Sequence, residues 1–158
     1  MEKFVIKSGF WALGKGLQAA SRLDKLTVKE VEQLPAGFAV TLEVFPGKLA
    51  VSWKKEGGSM KYLGLKSLEN PDLRVIIKNR KSALRMILAQ LGIAKAYAQR
   101  RIAVEGNTVY AMVMTRMLDR VEAFLFPRFL SKNLLKQVPR FKAGDYLVNF
   151  QIYLRLIV

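Results

Sequence analysis

The sequence predicts an α+β domain: helices, then an antiparallel sheet, then helices laid against it. Three observations predict it. Apolar residues recur at helical spacing before Pro35, at twofold spacing from Phe38 to Lys78, and at helical spacing again from Ala83. The twofold runs are separated by Pro-Gly, Gly-Gly and Asn-Pro turns, the pattern of short strands in a meander. The chain has 158 residues, 51% of them apolar, enough for one domain with a core of its own. Its parts are read as N-terminal helices (1–35), a core (36–126) and a C-terminal closing segment (127–158).

In chain order, Ile6, Phe10, Leu13, Leu17 and Ala20 form one apolar stripe of a helix. The same region begins like a secretion signal, with Lys3 and Lys7 ahead of Phe10, Trp11 and Leu13. Gly14-Lys15-Gly16 breaks that pattern early and no A-x-A site follows, so the stripe is the better reading. Thr27-Val28-Lys29-Glu30 reads as a capping box for a short helix ending before Pro35. Phe38, Val40, Leu42 and Val44 then alternate with small and polar residues, as do Leu49, Val51 and Trp53. A third run covers Met60 to Lys66 and a fourth Leu73 to Lys78. Gly64, inside the third, leaves a gap in side-chain packing that is better read as a bulge than as a place where a ligand nears the backbone. Ala83, Leu84, Ile87, Leu88 and Leu91 share a helical face with Gly92 placed as its stop. Ile93 to Gln99 suits a short helix, and Arg101 to Glu105 a further strand closed by Gly106-Asn107. Asn107 is a suitable N-cap for a long helix to about Phe126, ahead of Pro127. Tyr110, Val113, Met114, Met117, Val121 and Phe124 form its apolar face, with Thr115, Arg116, Asp119, Arg120 and Glu122 opposite. Arg128 to Lys136 suits another helix. The alternation from Val148 to Val158 favours a strand but also fits a buried helix.

Charge and composition narrow the function. The chain holds 27 Lys+Arg against 12 Asp+Glu, a net charge of +15, with no His and no Cys. Thiol nucleophiles, disulfides, thiolate or imidazole metal sites and the Ser-His-Asp triad are therefore absent. No phosphate-binding glycine loop or G-x-S-x-G motif occurs, and the Asp119/Glu122 pair reads as part of a solvated, ion-paired face. The expectation is a non-enzyme with no cofactor, no metal and no catalytic residues. The positive excess is uneven: residues 1–79 carry 13 basic and 8 acidic side chains, residues 80–158 carry 14 and 4. Such a field attracts phosphate on lipid or nucleic acid. Phe126 to Lys142 has no acidic residue, and Arg128, Lys132, Lys136, Arg140 and Lys142 lie among Phe and Leu, as in a helix resting on an anionic membrane or gripping an acidic head group. No run is long enough to span a membrane.

Ser82 to Arg101 also mimics a helix-turn-helix, with Lys95, Arg100 and Arg101 on its second half. Against it, Arg101–Glu105 alternates as a strand, and only Lys95, Tyr97 and Gln99 of the short helix would meet base edges. A nucleic-acid-binding module is thus the alternative reading. A scaffold subunit whose apolar groove receives a partner helix is another, and the oligomeric state is left open. Four of the six methionines (Met86, Met112, Met114 and Met117) lie on the two longer helices of the second half, where flexible, polarizable side chains suit either gap filling or varied apolar ligands.

Residues 48–126 resemble the sterol carrier protein type 2 superfamily of small lipid-binding domains. The resemblance lies in Lys48-Leu-Ala-Val-Ser-Trp53, in a strand opened by Pro71-Asp72-Leu73, in the helix and loop after it, and in Arg101-Ile-Ala-Val-Glu-Gly-Asn107 leading into the last long helix. It implies a five-stranded, mainly antiparallel sheet with helices on one face and an apolar tunnel between them. That tunnel would take sterols, fatty acyl chains or, in some bacterial relatives, quinone-pathway lipids. Members bind and carry lipids or serve as accessory modules, and the tail often closes the tunnel. The expected lining is Trp53, Leu63, Met86, Tyr110, Val113, Met114, Met117 and Val121. The ending Leu156-Ile157-Val158 is not a peroxisomal address, so the expected setting is cytoplasmic, peripheral to membrane at most.

Overall fold

A computed structural model describes residues 1–88 and 90–125. The elements are α1 (Glu2–Leu23), α2 (Lys25–Glu32), β1 (Ala39–Val44), β2 (Leu49–Glu56), β3 (Ser59–Gly64), β4 (Leu73–Ile77), α3 (Arg80–Ile87), α4 (Ile93–Ala98), β5 (Ile102–Gly106) and α5 (Thr108–Leu125). The five strands form one sheet in the order β3-β2-β1-β4-β5. All pairings are antiparallel except that of β1 with β4. The α+β class and the five mostly antiparallel strands agree with the sequence reading.

The meander ends one strand earlier than the turns suggest. β4 does not continue from β3; residues 65–72 cross to the far side of β1, where β4 pairs in parallel. Buried hydroxyls guide that crossing. Thr41 and Ser52 share a 2.8 Å hydrogen bond, Ser52 Oγ donates to the Lys66 carbonyl, and Leu68 N–H donates to Thr41 Oγ1. The Arg74 guanidinium then donates to the Leu68 and Glu69 carbonyls. Side chains on the polar face of the sheet thus satisfy loop backbone that would lack partners. Gly64 does mark a bulge: Ser52 pairs with Gly64 and Trp53 with Tyr62, leaving Leu63 as the extra residue, and Gly64 holds φ 110°.

The opposite face carries the core. The whole α1 stripe (Ile6, Phe10, Leu13, Leu17 and Ala20) is buried, as the spacing predicts. α1 lies close because its contact face also holds glycines. A Cβ at Gly14 would fall 2.4 Å from the Tyr62 ring, and one at Gly9 2.3 Å from Ile87. Trp53, fully buried, donates its indole N–H to the Gly14 carbonyl. Gln18 and Ser21 accept the backbone N–H groups of Tyr62 and Met60, so α1 also covers backbone of β3.

Two helix ends differ from expectation. α2 is capped by Asp24, three residues before the predicted Thr27: the Asp24 carboxylate accepts from both the Thr27 N–H and its hydroxyl. Aspartate wins because it also pairs with Arg120 of α5 through both carboxylate oxygens. Burial opposes its ionisation, but Arg120 and Thr27 outweigh that and hold its pKa below the ordinary value. Gly92 does not stop α3, which closes at Leu88; it is the N-cap residue of α4. The Asn107 cap of α5 holds, its side chain accepting from Val109 N–H at 2.8 Å.

Two outcomes follow for stability. Gly14→Ala gains about 1 kcal/mol of helix propensity but meets the Tyr62 ring, so denaturant melts should show a net loss of about 1–2 kcal/mol; in a Tyr62→Ala background the same change should stabilise. Arg120→Ala strands a buried carboxylate and should cost about 3 kcal/mol in the same assay.

Candidate functional site

The half of the sheet that α1 does not cover is arranged differently. Between β1, β4 and β5 on one side and α4 and α5 on the other lies a cavity of about 650 Å³, within the ~300–1,000 Å³ typical of ligand sites. Leu42, Val75, Ile102 and Val104 form its sheet wall, Met86 and Ile93 its inner side, and Ala111, Met114 and Leu118 its helical wall. Tyr97 and Met112 border it and are exposed, so they mark its rim. Polar groups on the wall are few. Thr115 donates to the Ala111 carbonyl within its own helix, and Arg116 turns two guanidinium nitrogens to Glu30 at 2.9 and 2.7 Å. A smaller void lies beside it, walled by Phe10, Leu13, Ala83 and Ile87 and sharing Leu42, Met86, Ile93 and Leu118 with the large one.

A family model described as the SCP-2 sterol transfer family matches residues 17–119, from within α1 to within α5. The chain belongs to the SCP-2 sterol transfer family. Lipid binding and transfer is the general function of SCP-2 domains, and the cavity lies inside the matched stretch. Among solved structures, the UbiJ-SCP2 ubiquinone synthesis protein is similar at 14% identity and a TM-score of 0.50, covering 75% of this chain and 97% of that one. Sterol carrier protein 2 from Yarrowia lipolytica gives 15%, 0.48, 72% and 88% in the same order. The sterol carrier protein domain 2 of Helicoverpa armigera gives 24%, 0.44, 69% and 84%. Likeness at these identities concerns the fold. No curated protein matches the chain.

Of the residues expected to line a tunnel, Met86 and Met114 are on the cavity wall. The others are placed elsewhere. Trp53 is sealed under α1, and Val113, Met117 and Val121 are buried in the core, Val121 beside Gly16. Tyr110 packs edge-on against Phe38, and Leu63 is the bulge residue of β3. An α5 face that is apolar over a wide arc hides this division: one strip meets α1 and α2, the next meets the cavity. The sequence reading does not expect Leu42, Val75, Ile93, Tyr97 or Ala111 as lining, although the alternation of β1, β4 and β5 places Leu42, Val75, Ile102 and Val104 on one face. Arg128, Lys132, Lys136, Arg140 and Lys142 lie outside the described residues.

Glu122 departs most from expectation. The sequence places it on a solvated face, yet only 9% of it is exposed, and it borders the small void among Phe10, Leu13, Met86 and Leu118. No hydrogen bond or ion pair from the described residues reaches it. Burial, with the Asp119 charge adding, pushes its carboxyl up to about 8. Asp119, one turn earlier, is exposed, as the sequence predicts, at the border of the large cavity, where partial desolvation raises it to about 6.

The sign of the consequence follows from proton counts. An unfolded glutamate ionises near 4.5 and the folded one near 8; between those values the folded chain holds the extra proton, so raising pH favours unfolding. Chemical melts should show stability falling by several kcal/mol from pH 5 to pH 9. Glu122→Gln should remove most of that fall and be the more stable protein at pH 9.

Proposed function

We propose that this SCP-2 domain is a non-catalytic binder and carrier of an apolar lipid, of sterol, fatty acyl or quinone type, held in the cavity between the sheet and α4–α5. The observation that carries the reading is the cavity itself, about 650 Å³ walled mainly by aliphatic and methionine side chains. Burying an acyl chain there is worth about 0.8 kcal/mol per methylene group, which needs orientation but no reactive groups. Met86 and Met114 supply the adaptable surface that varied chains require. The exposed Tyr97 and Met112 at the rim offer an apolar threshold for entry.

The strongly basic chain, with its +15 charge, supports work beside anionic lipid in the cytoplasm, docking peripherally. No described helix is long and apolar enough to cross a membrane. The helix-turn-helix alternative loses its support in the geometry: α4 has six residues, Ile93, Ala94 and Tyr97 of which border the cavity, and it leads straight into β5.

Native mass spectrometry of the purified protein should show a co-purifying lipid, and the emptied protein should extract labelled lipid from vesicles. An empty protein that extracts nothing would overturn the reading. Ala111→Trp, which fills the cavity from its helical wall, should lower lipid uptake at least tenfold while leaving the far-ultraviolet circular dichroism unchanged.

A further inference from the structure

One end of the sheet gathers cations that the packing of the domain does not use. Three segments meet there: the β1–β2 loop (45–48), the turn from β4 into α3 (78–81) and the turn from α4 into β5 (99–101). Phe45 N–H donates to the Ile77 carbonyl at 2.8 Å, and Lys78 N–H to the Arg101 carbonyl at 2.9 Å. The Arg80 guanidinium comes within 3.8 Å of where a Cβ on Gly47 would stand. Lys48, Lys78, Arg80, Lys81, Arg100 and Arg101 therefore share this end, and no Asp or Glu occurs in 44–50, 77–82 or 99–103. Among the described residues none of these cations forms an ion pair, whereas Arg74, Arg116 and Arg120 each do. Arg101 donates only to the neutral Gln99 and Ser82 side chains.

Some of these cations stand against local preference. α3 opens with Arg80-Lys81 behind its Asn79 cap and has no acidic residue in its first turn, where the helix dipole disfavours positive charge. α4 closes through Arg100 at φ 57°, the left-handed conformation for which glycine is the usual residue. Departures from local rules that bring no gain in packing mark functional positions. Beside the cations Phe45 is 64% exposed, at the start of a loop whose residues 45–48 are all exposed.

We propose that this end of the sheet is the face by which the domain docks on an anionic phospholipid bilayer, with Phe45 entering between head groups and the cations meeting lipid phosphate. The proposal rests on the lipid-carrier reading above and names the surface on which the carrier meets its membrane. An exposed aromatic among lysines and arginines matches a bilayer boundary, which is anionic at its surface and apolar beneath. Duplex nucleic acid would meet the same cations but offers Phe45 no apolar layer to enter. The face also adjoins the cavity: Arg100 follows Tyr97 by three residues, and Tyr97 is exposed at the cavity border. A bilayer docked here lies where α4, one wall of the cavity, ends.

Co-sedimentation of the whole chain tests it, with vesicles of phosphatidylcholine alone or with about one third phosphatidylserine. The wild type should bind the anionic vesicles roughly tenfold or more tighter, and lose that advantage in high salt. Each Lys or Arg near such a surface is worth about fivefold, so Lys78→Gln, Lys81→Gln and Arg100→Gln together should weaken binding about a hundredfold. Phe45→Ala should weaken it about tenfold. The same charge removed from α2 and the far end of β2, by Lys25→Gln, Lys29→Gln and Lys54→Gln together, should weaken it no more than about fivefold. Neither triple variant should change uptake of labelled lipid from cyclodextrin, which presents no charged surface. If the first triple variant bound anionic vesicles like the wild type, or the second lost as much as the first, the docking face would be overturned and the carrier would stand. Tighter binding to a single-stranded oligonucleotide than to the anionic vesicles at equal salt would also overturn it. A wild type that docks through this face yet takes up no lipid from cyclodextrin would instead remove the carrier reading and keep the face.

Discussion

At Gly14 the backbone of α1 comes so near the sheet that its carbonyl accepts the indole N–H of Trp53 on β2, and no side chain fits between the helix and Tyr62 on β3. This close approach organises the molecule. It buries the largest side chain of the sheet, and it brings Gln18 and Ser21 within reach of the β3 backbone. At Gly16 it lets α1 meet Val121 of α5 as well, where a Cβ would lie 2.9 Å from the valine. α5 is further fixed from α2 by the Asp24–Arg120 pair. A helix tied down at that end, over the sealed half of the sheet, is free to stand off the other half, and the standoff is the cavity. Close packing in one place is what makes empty space in another stable, because an apolar void lined by unsupported elements would collapse.

Electrostatics divide the molecule along the same line. Its surface is basic, and its described ion pairs involve arginines or a lysine at partly exposed positions, apart from the sheltered Asp24. Among the described residues, the carboxyl that stands in the apolar interior without a countercharge is Glu122 of α5, while Asp119 one turn earlier is exposed at the cavity border. Burial therefore pushes the Glu122 carboxyl up, towards its protonated form, inside a protein whose exterior is dominated by cations.

Much of this was legible in the residues. Period changes at Pro35 and after Lys78 located the sheet, the Asn107 cap and the α1 stripe were correct, and the order of elements suggested the SCP-2 family that the comparison then established. What local pattern could not supply was long-range. Nothing near Asp24 announces Arg120 ninety-six residues later, so the cap was placed at Thr27. Nothing in the turn at Asn70-Pro71 reveals that β4 joins β1 in parallel. The cavity wall was misjudged for a related reason: periodicity distinguishes apolar faces from polar ones, but not an apolar face that is covered from one that borders empty space. Glu122 looked solvated because its helical neighbours Asp119 and Arg120 are polar, whereas its surroundings are set by α1, α3 and the sheet.

The hydroxyl pair of Thr41 and Ser52 has a role beyond loop satisfaction. β1 is the strand both halves share, antiparallel to β2 on the packed side and parallel to β4 on the cavity side. A slip of one residue in such a strand exchanges its faces, which would turn Leu42 away from the cavity and bring Thr41 or Glu43 into it. By bonding to each other and to the crossing chain at Lys66 and Leu68, the two hydroxyls act as an index pin. They set the phase of β1, and with it the alignment of the hollow half of the molecule against the half that gives it its strength.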